Sequence, residues 1–209
     1  MSDSELNDTY KTLSAPTDEI IYKEKGSKFI GYAFPVNTEV EIMGIIQRIK
    51  NEHYKANHCC YAYKTGTEFV QHRANDDGEP THSAGTPIYG QIQSFGLTNV
   101  LVLVVRYFGG VKLGVGGLVN AYKTTAQLSL AKAECTTKTI DKEMEIAFSY
   151  EHLNKVLKVV REYNAEIKTQ VMELNCKMVL SVRSSNFERL FQAMELLRIG
   201  EVKKITASV

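Results

Sequence analysis

The chain lacks most of the features that give a sequence an easy reading. No apolar run is longer than Val100–Val105, far short of the ~20 residues a bilayer-crossing helix needs. No membrane span is therefore expected. Residues Met1 to Tyr10 hold no basic cluster and no apolar stretch, so no secretory signal is expected there. Cysteine is scarce: Cys59, Cys60, Cys135 and Cys176 form no CxxC pair and have no zinc-site spacing. Reduced thiols in a cytoplasmic protein are the simplest reading. An excess of charge is also missing. The net charge is +1, with 13 basic against 14 acidic residues over 1–137 and 12 against 10 over 138–209. That excludes a general polyanion binder and confines any nucleic-acid contact to a local patch. There is no internal repeat and no low-complexity segment.

What is present is globular. Its 209 residues are 44% hydrophobic and 23% charged, a length that suits two small domains. Residues 1–17 read as a loose polar leader. Two strands are expected over Glu19–Lys25 and Lys28–Val36, turning at Gly26–Ser27. Their aromatics Tyr22, Phe29, Tyr32 and Phe34 are sheet residues, of which one exposed face would suit base stacking. Thr38 followed by Glu41 makes a capping box, and Ile42, Ile45, Ile46 and Ile49 form one helix face. Short strands over His58–Lys64 and Thr67–Arg73 follow. Residues 74–87 are a breaker segment. A helix starts near Pro87, with Gly96 as its C-cap. Asn99–Tyr107 is almost continuously apolar, as in a strand covered on both faces. A glycine-rich loop then leads into a helix from about Leu118 to Glu134, whose small residues allow close packing.

After Thr137 the pattern changes. Met144, Ile146 and Phe148 alternate with polar neighbours, as do Cys176, Met178, Leu180 and Val182, which marks half-buried strands. Between and after them come helix faces at Leu153–Val160 and Phe187–Leu197, the second capped by Ser185 or Asn186. The order β-α-β-β-α-β is ferredoxin-like, and the linker falls near 135–140. The expected domains are 18–136 and 137–209, both α+β.

Two segments carry the candidate chemistry. Asp76-Asp77-Gly78-Glu79-Pro80 puts three carboxylates into four residues. Such a group suits a hard cation, a tight turn or a partner contact, and it does not follow the EF-hand spacing. Arg106 to Gly117 (RYFGGVKLGVGG) joins a buried strand to a helix. Backbone N–H groups at a helix start attract anions, and Arg106 and Lys112 flank the loop with phosphate-compatible cations. Glycines there also serve sharp turns and close packing. The loop is neither a Walker loop nor a dinucleotide fingerprint, so no cofactor is expected. His58, Cys59 and Ser83 lack a nucleophile elbow or an orienting acid, and no catalytic set or metal site is assigned.

The blocks DDGEP, AGTP and NVLVLVVRYFGGVKLGVGGLVNAY, preceded by GSKFIGYA and NHCCYAY, closely resemble the Impact family and its bacterial YigZ-type branch over residues ~19–209. Asn75 stands where the family usually has Ser, Thr81-His82-Ser83 where a smaller segment is common, and Val115 where Thr is frequent. The resemblance implies an N-terminal left-handed βαβ domain, as in a ribosomal-protein domain and domain four of elongation factor G. It also implies a ferredoxin-like C-terminal domain similar to that factor's. Eukaryotic members are linked to translational control through a kinase activator; bacteria lack that kinase, so the partner does not transfer. The motif positions carried over are Asp76, Asp77, Gly78, Glu79, Pro80, Arg106, Tyr107, Gly109, Gly110, Lys112, Gly114, Gly116 and Gly117, with His58 in the upstream block.

The expectation is a translation-linked binding protein contacting RNA or the ribosome, or a translation-related protein, rather than an enzyme. Arg106, Gly109, Gly110, Lys112, Gly114, Gly116 and Gly117 form its anion site, extended by the open side of the ferredoxin-like sheet. Asp76–Pro80, Tyr107 and His58 are motif residues without an assigned role. The alternative is a metal-assisted enzyme acting on a small phosphorylated compound.

Overall fold

The computed structural model describes residues 8–205. In chain order the elements are β1 (Thr9–Leu13), β2 (Ile20–Glu24), β3 (Ser27–Pro35), α1 (Glu39–Glu52), β4 (His58–Thr65), β5 (Gln71–Asn75), α2 (Gly85–Ser94), β6 (Val100–Tyr107), α3 (Gly114–Lys132) and β7 (Cys135–Thr139). They continue with β8 (Asp141–Ser149), α4 (Leu153–Glu162), β9 (Glu166–Val171), β10 (Asn175–Arg183), α5 (Ser184–Leu196) and β11 (Gly200–Ile205). The fold is α+β in two compact units. One is Tyr10–Lys138; the other runs from Thr139 onward and includes Asp8 and Thr9.

The first unit is built on the sheet β2-β3-β6-β4-β5, antiparallel at every pairing. Strand β6 is central and, from Val100 to Val105, wholly buried. Side chains on a strand alternate between faces. Val100, Val102 and Val104 therefore pack with Ala33, Cys60 and Ala62 beneath α2 and α3. Leu101, Leu103 and Val105 pack with Ile30, Phe34 and Tyr61 beneath α1. The apolar run is continuous because both faces need it. Helix α3 lies close on the sheet: a Cβ on Gly31 would collide with the side chain of Ser129.

The Thr38 cap forms, its hydroxyl accepting from the Glu41 N–H at 3.2 Å. The reciprocal bond shifts by one residue, with Glu41 accepting from the Asn37 N–H at 2.9 Å. The hairpin aromatics differ from expectation. Phe29, Tyr32 and Phe34 are buried, so two-sided coverage leaves them no stacking face.

Residues 8–17 are not a loose leader. Thr9–Leu13 pairs with Cys135–Thr139 in a two-stranded sheet, Leu13 is buried, and Thr98 N–H donates to Lys11 O at 3.0 Å. The expected linker is thus largely strand β7. Residues 1–7 lie outside the described residues. Two further boundaries move. Strand β5 runs on to Asn75, into the expected breaker segment, and α3 begins at Gly114 rather than near Leu118.

The second unit has strand order β11-β8-β10-β9, all antiparallel. With helices after its first and third strands, this is the ferredoxin-like arrangement. Met144, Ile146, Phe148, Cys176, Met178, Leu180 and Val182 form its core against α4 and α5. The start of α5 is satisfied from afar. The Asp8 carboxylate accepts from the Ser185 N–H at 3.0 Å and hydroxyl at 2.7 Å, and pairs with Arg183 at 3.1 Å. Ser185 and Asn186, expected to cap this helix, lie inside it.

Candidate functional site

The acidic turn follows β5 directly, and Asp77 and Gly78 hold positive φ of 45° and 87°. Each of its carboxylates has its own donors. Asp76 accepts from the N–H groups of Ala84 and Gly85 at 2.9 and 2.8 Å and of His82 at 2.8 Å. That satisfies the orphan donors at the start of α2. Asp77 accepts from the Cys59 N–H and the Lys50 ammonium, both at 2.7 Å. The hydrogen bond to Asp77 is the main reason that ammonium holds its proton above the ordinary range. Glu79 is buried and accepts from Arg106 at 2.6 Å and from the Tyr122 hydroxyl at 2.7 Å. A cation on this turn would have to displace donors that already satisfy its carboxylates, among them the Lys50 and Arg106 cations.

Arg106 is buried as well. Its guanidinium carbon lies over the Phe29 and Phe108 rings, at 5.6 and 5.5 Å from their centroids. One Nη donates to Glu79, while its buried Nε has no hydrogen-bond partner among the described residues. The Tyr122 hydroxyl is pushed up, first by burial and then by Cys60 and Glu79, so it stays a proton donor. His58 sits at 2.9 Å from the Asp77 carbonyl through Nδ1. A carbonyl only accepts, so Nδ1 carries the hydrogen. Its Nε2 then stands 3.9 Å from Glu79.

Arg106, Glu79 and His58 share a cleft of about 440 Å³, walled by the acidic turn, the loop after β6 and the first turn of α3. Of the expected anion-site residues, Arg106, Lys112 and Gly114 line it, as do the motif residues His58, Glu79 and Pro80. Gly109 does not; a Cβ there would strike the Gly26 backbone, and its N–H donates to the Ser27 hydroxyl at 3.2 Å. It locks the β6 loop to the β2–β3 turn. Gly110 lies in the exposed loop, and Gly116 and Gly117 lie in the first turn of α3. Tyr107 leaves the cleft and bonds His53 at 2.9 Å. Asp76 and Asp77 act on α2 and β4 instead.

Helix α3 starts without a side-chain cap and with no acidic residue in its first turn, so its N–H groups remain available to an anion. Lys112 is exposed beside them and makes no hydrogen bond or ion pair among the described residues. Nucleophilic chemistry is poorly served. The Ser83 hydroxyl is buried and donates to Pro80 O at 2.6 Å, and burial pushes the Cys59 thiol up to about 12.

Sequence reasoning passed over four contributors. Tyr122 holds Glu79, Lys50 holds Asp77, Asn57 accepts from the Phe108 N–H at 2.8 Å, and Phe108 presents an exposed ring. Tyr122 and Phe108 stand inside the conspicuous motif block, so their aromatic type was a usable signal. Lys50 ends a helix 27 residues before its partner and carries no such signal.

The fold is a two-unit α+β protein with a cleft in its first unit bordered by Lys112 and the start of α3. Residues 25–130 match the Impact N-terminal domain. The chain belongs to the Impact family. It is similar to the IMPACT family member YvyE of Bacillus subtilis, 36% identical over 154 residues, covering 74% of this chain and 70% of that one. It is also similar to an IMPACT family member of Haemophilus influenzae, 30% identical over 200 residues, covering 89% and 97%. A crystal structure of a hypothetical protein shares the fold, with a TM-score of 0.74 at 23% identity, covering 96% of this chain and 99% of that one. No helix among the described residues is long and apolar enough to cross a membrane.

Proposed function

We propose that this chain is a translation-linked binding protein that holds an RNA phosphate in the cleft of its first unit. The carrying observation is the meeting of Lys112 with the uncapped start of α3 on the rim of that cleft. Family membership supports the link to translation. The charge count sets the strength. Glu79 balances Arg106, which leaves Lys112 and about half a charge from the helix dipole. A site of this kind is weak and uses roughly one phosphate. Arg106 shapes the floor from within and does not itself fork a phosphate.

The test is fluorescence anisotropy of single-stranded RNA, tRNA and ribosomal subunits with wild type and Lys112→Ala across a salt series. Wild type binds at least one of them. Lys112→Ala weakens that binding about equally across sequences and flattens the log–log salt slope by roughly one unit. Binding of none of the three, or unchanged affinity and slope in the variant, overturns the reading.

A further inference from the structure

A phosphate accounts for only part of the cleft. Besides Lys112, the walls include Pro80, Phe108, Leu113, Val115 and Leu118, the last three at the start of α3 itself. Water and a phosphate gain nothing from such a surface. Phe108 is 45% exposed and Val115 57% exposed, at the place where the polar groups converge. The inner support of Phe108 is polar. The Arg106 guanidinium lies against its ring, and Asn57 accepts its N–H at 2.8 Å. An aromatic ring fixed in this way and still open to solvent is a stacking platform. The volume of about 440 Å³ falls in the ~300–1,000 Å³ range of small-ligand sites. Of the first-hairpin aromatics, Phe29, Tyr32 and Phe34 are buried, whereas Phe108 is exposed in the loop after β6.

We infer that the cleft takes one unpaired nucleotide of an RNA strand, its base stacked on Phe108 and its phosphate at Lys112 and the start of α3. This rests on the phosphate reading above and adds the ligand's second half. A duplex hides its base faces within the stack, so the site selects single-stranded segments, loops or ends. Stacking is tolerant of base identity because every base has a π-face. Little sequence preference follows. The Glu79 carboxylate borders the cleft but is neutralised by Arg106 and also accepts from the Tyr122 hydroxyl, so it does not repel the strand.

The deciding experiment compares an intact single-stranded oligoribonucleotide with its abasic ribose-phosphate counterpart, which keeps every phosphate and removes every base. Wild type is expected to bind the intact strand between about five- and a hundredfold more tightly. Phe108→Ala is expected to bring the intact strand down to the abasic level and leave abasic binding unchanged, while Phe108→Tyr retains the preference. A 2-aminopurine base in the strand should be quenched on binding to wild type. Equal binding of intact and abasic strands by wild type, still lost in Lys112→Ala, overturns the base pocket and leaves the phosphate reading standing. Equal losses for both strands in Phe108→Ala reduce Phe108 to a support for Arg106 and likewise overturn it. Binding of neither strand overturns both readings. The wild-type comparison decides the matter even if Phe108→Ala melts early.

Discussion

Strand β6 of the first unit is buried without interruption from Val100 to Val105, whereas β10 of the second alternates, with Cys176, Met178 and Leu180 buried and Lys177 exposed. The contrast extends to charge. The Arg106–Glu79 pair of the first unit is 7% and 3% exposed. In the second unit, Lys177–Glu145 is 60% and 32% exposed, and Lys203–Glu201 is 59% and 65% exposed. A sheet covered on both faces forces any charge at its end to be paired inside the protein. A sheet with one open face leaves its charges in water. Ion pairs of similar length thus have very different consequences.

The largest effect should come from breaking the inner pair. Glu79→Ala leaves Arg106 as an uncompensated buried cation and should cost about 3–5 kcal/mol. Chemical denaturation measures this, and a cost under about 1 kcal/mol would mean that Arg106 escapes to solvent and that the contrast is false.

Alkali should distinguish the units next. Burial pushes the Cys59 thiol from 9.0 up to about 12, and raises Cys60 and the Tyr122 hydroxyl in the same direction. The unfolded chain releases the two thiol protons above about pH 9 and the phenol proton above about pH 10, while up to about pH 12 the folded chain still holds them. Stability is therefore unaffected below that window and falls within it, by up to about 1.4 kcal/mol per pH unit for each group. A double variant, Cys59→Ala with Cys60→Ala, should flatten the decline. In a variant that keeps only Cys59 and Cys60, with Cys135→Ala and Cys176→Ala, thiolate absorbance rising near pH 9 in the folded protein would contradict the assignment.

Asp8→Ala removes a remote cap from α5 and should cost the second unit about 1 kcal/mol. A fragment of residues 138–209 contains the βαββαβ core and should give a dispersed amide NMR spectrum, with stability lowered by a similar amount. A random-coil spectrum would show that this unit does not fold from its own core. The smallest effects belong to exposed charges. Glu145→Ala and Lys112→Ala should each change stability by less than about 0.5 kcal/mol, which thermal melts can check. A large loss for Glu145→Ala would place its pair with the buried kind.

The periodic features were readable because their cause is local. Alternation at Met144, Ile146 and Phe148 marks a strand with one dry face, and the unbroken run at Val100–Val105 marks one with two. The isoleucines of α1 and the Thr38 cap follow from the same kind of short-range spacing. Other features have no local cause. Thr9–Leu13 is polar and became a strand only because residues 135–139 offered it a partner. Helix α3 starts among glycines, which disfavour helix on their own. The sequence showed that Arg106, Lys112, Asp76, Asp77 and Glu79 were candidates for chemistry. Only the tertiary structure decided that Arg106 is held by Glu79 from 27 residues away and Glu79 by Tyr122 from 43, while Lys112 has no partner among the described residues. Side-chain periodicity is a property of neighbours along the chain, but the partner of a buried charge is whichever group the packed sheet and helices bring within hydrogen-bond distance.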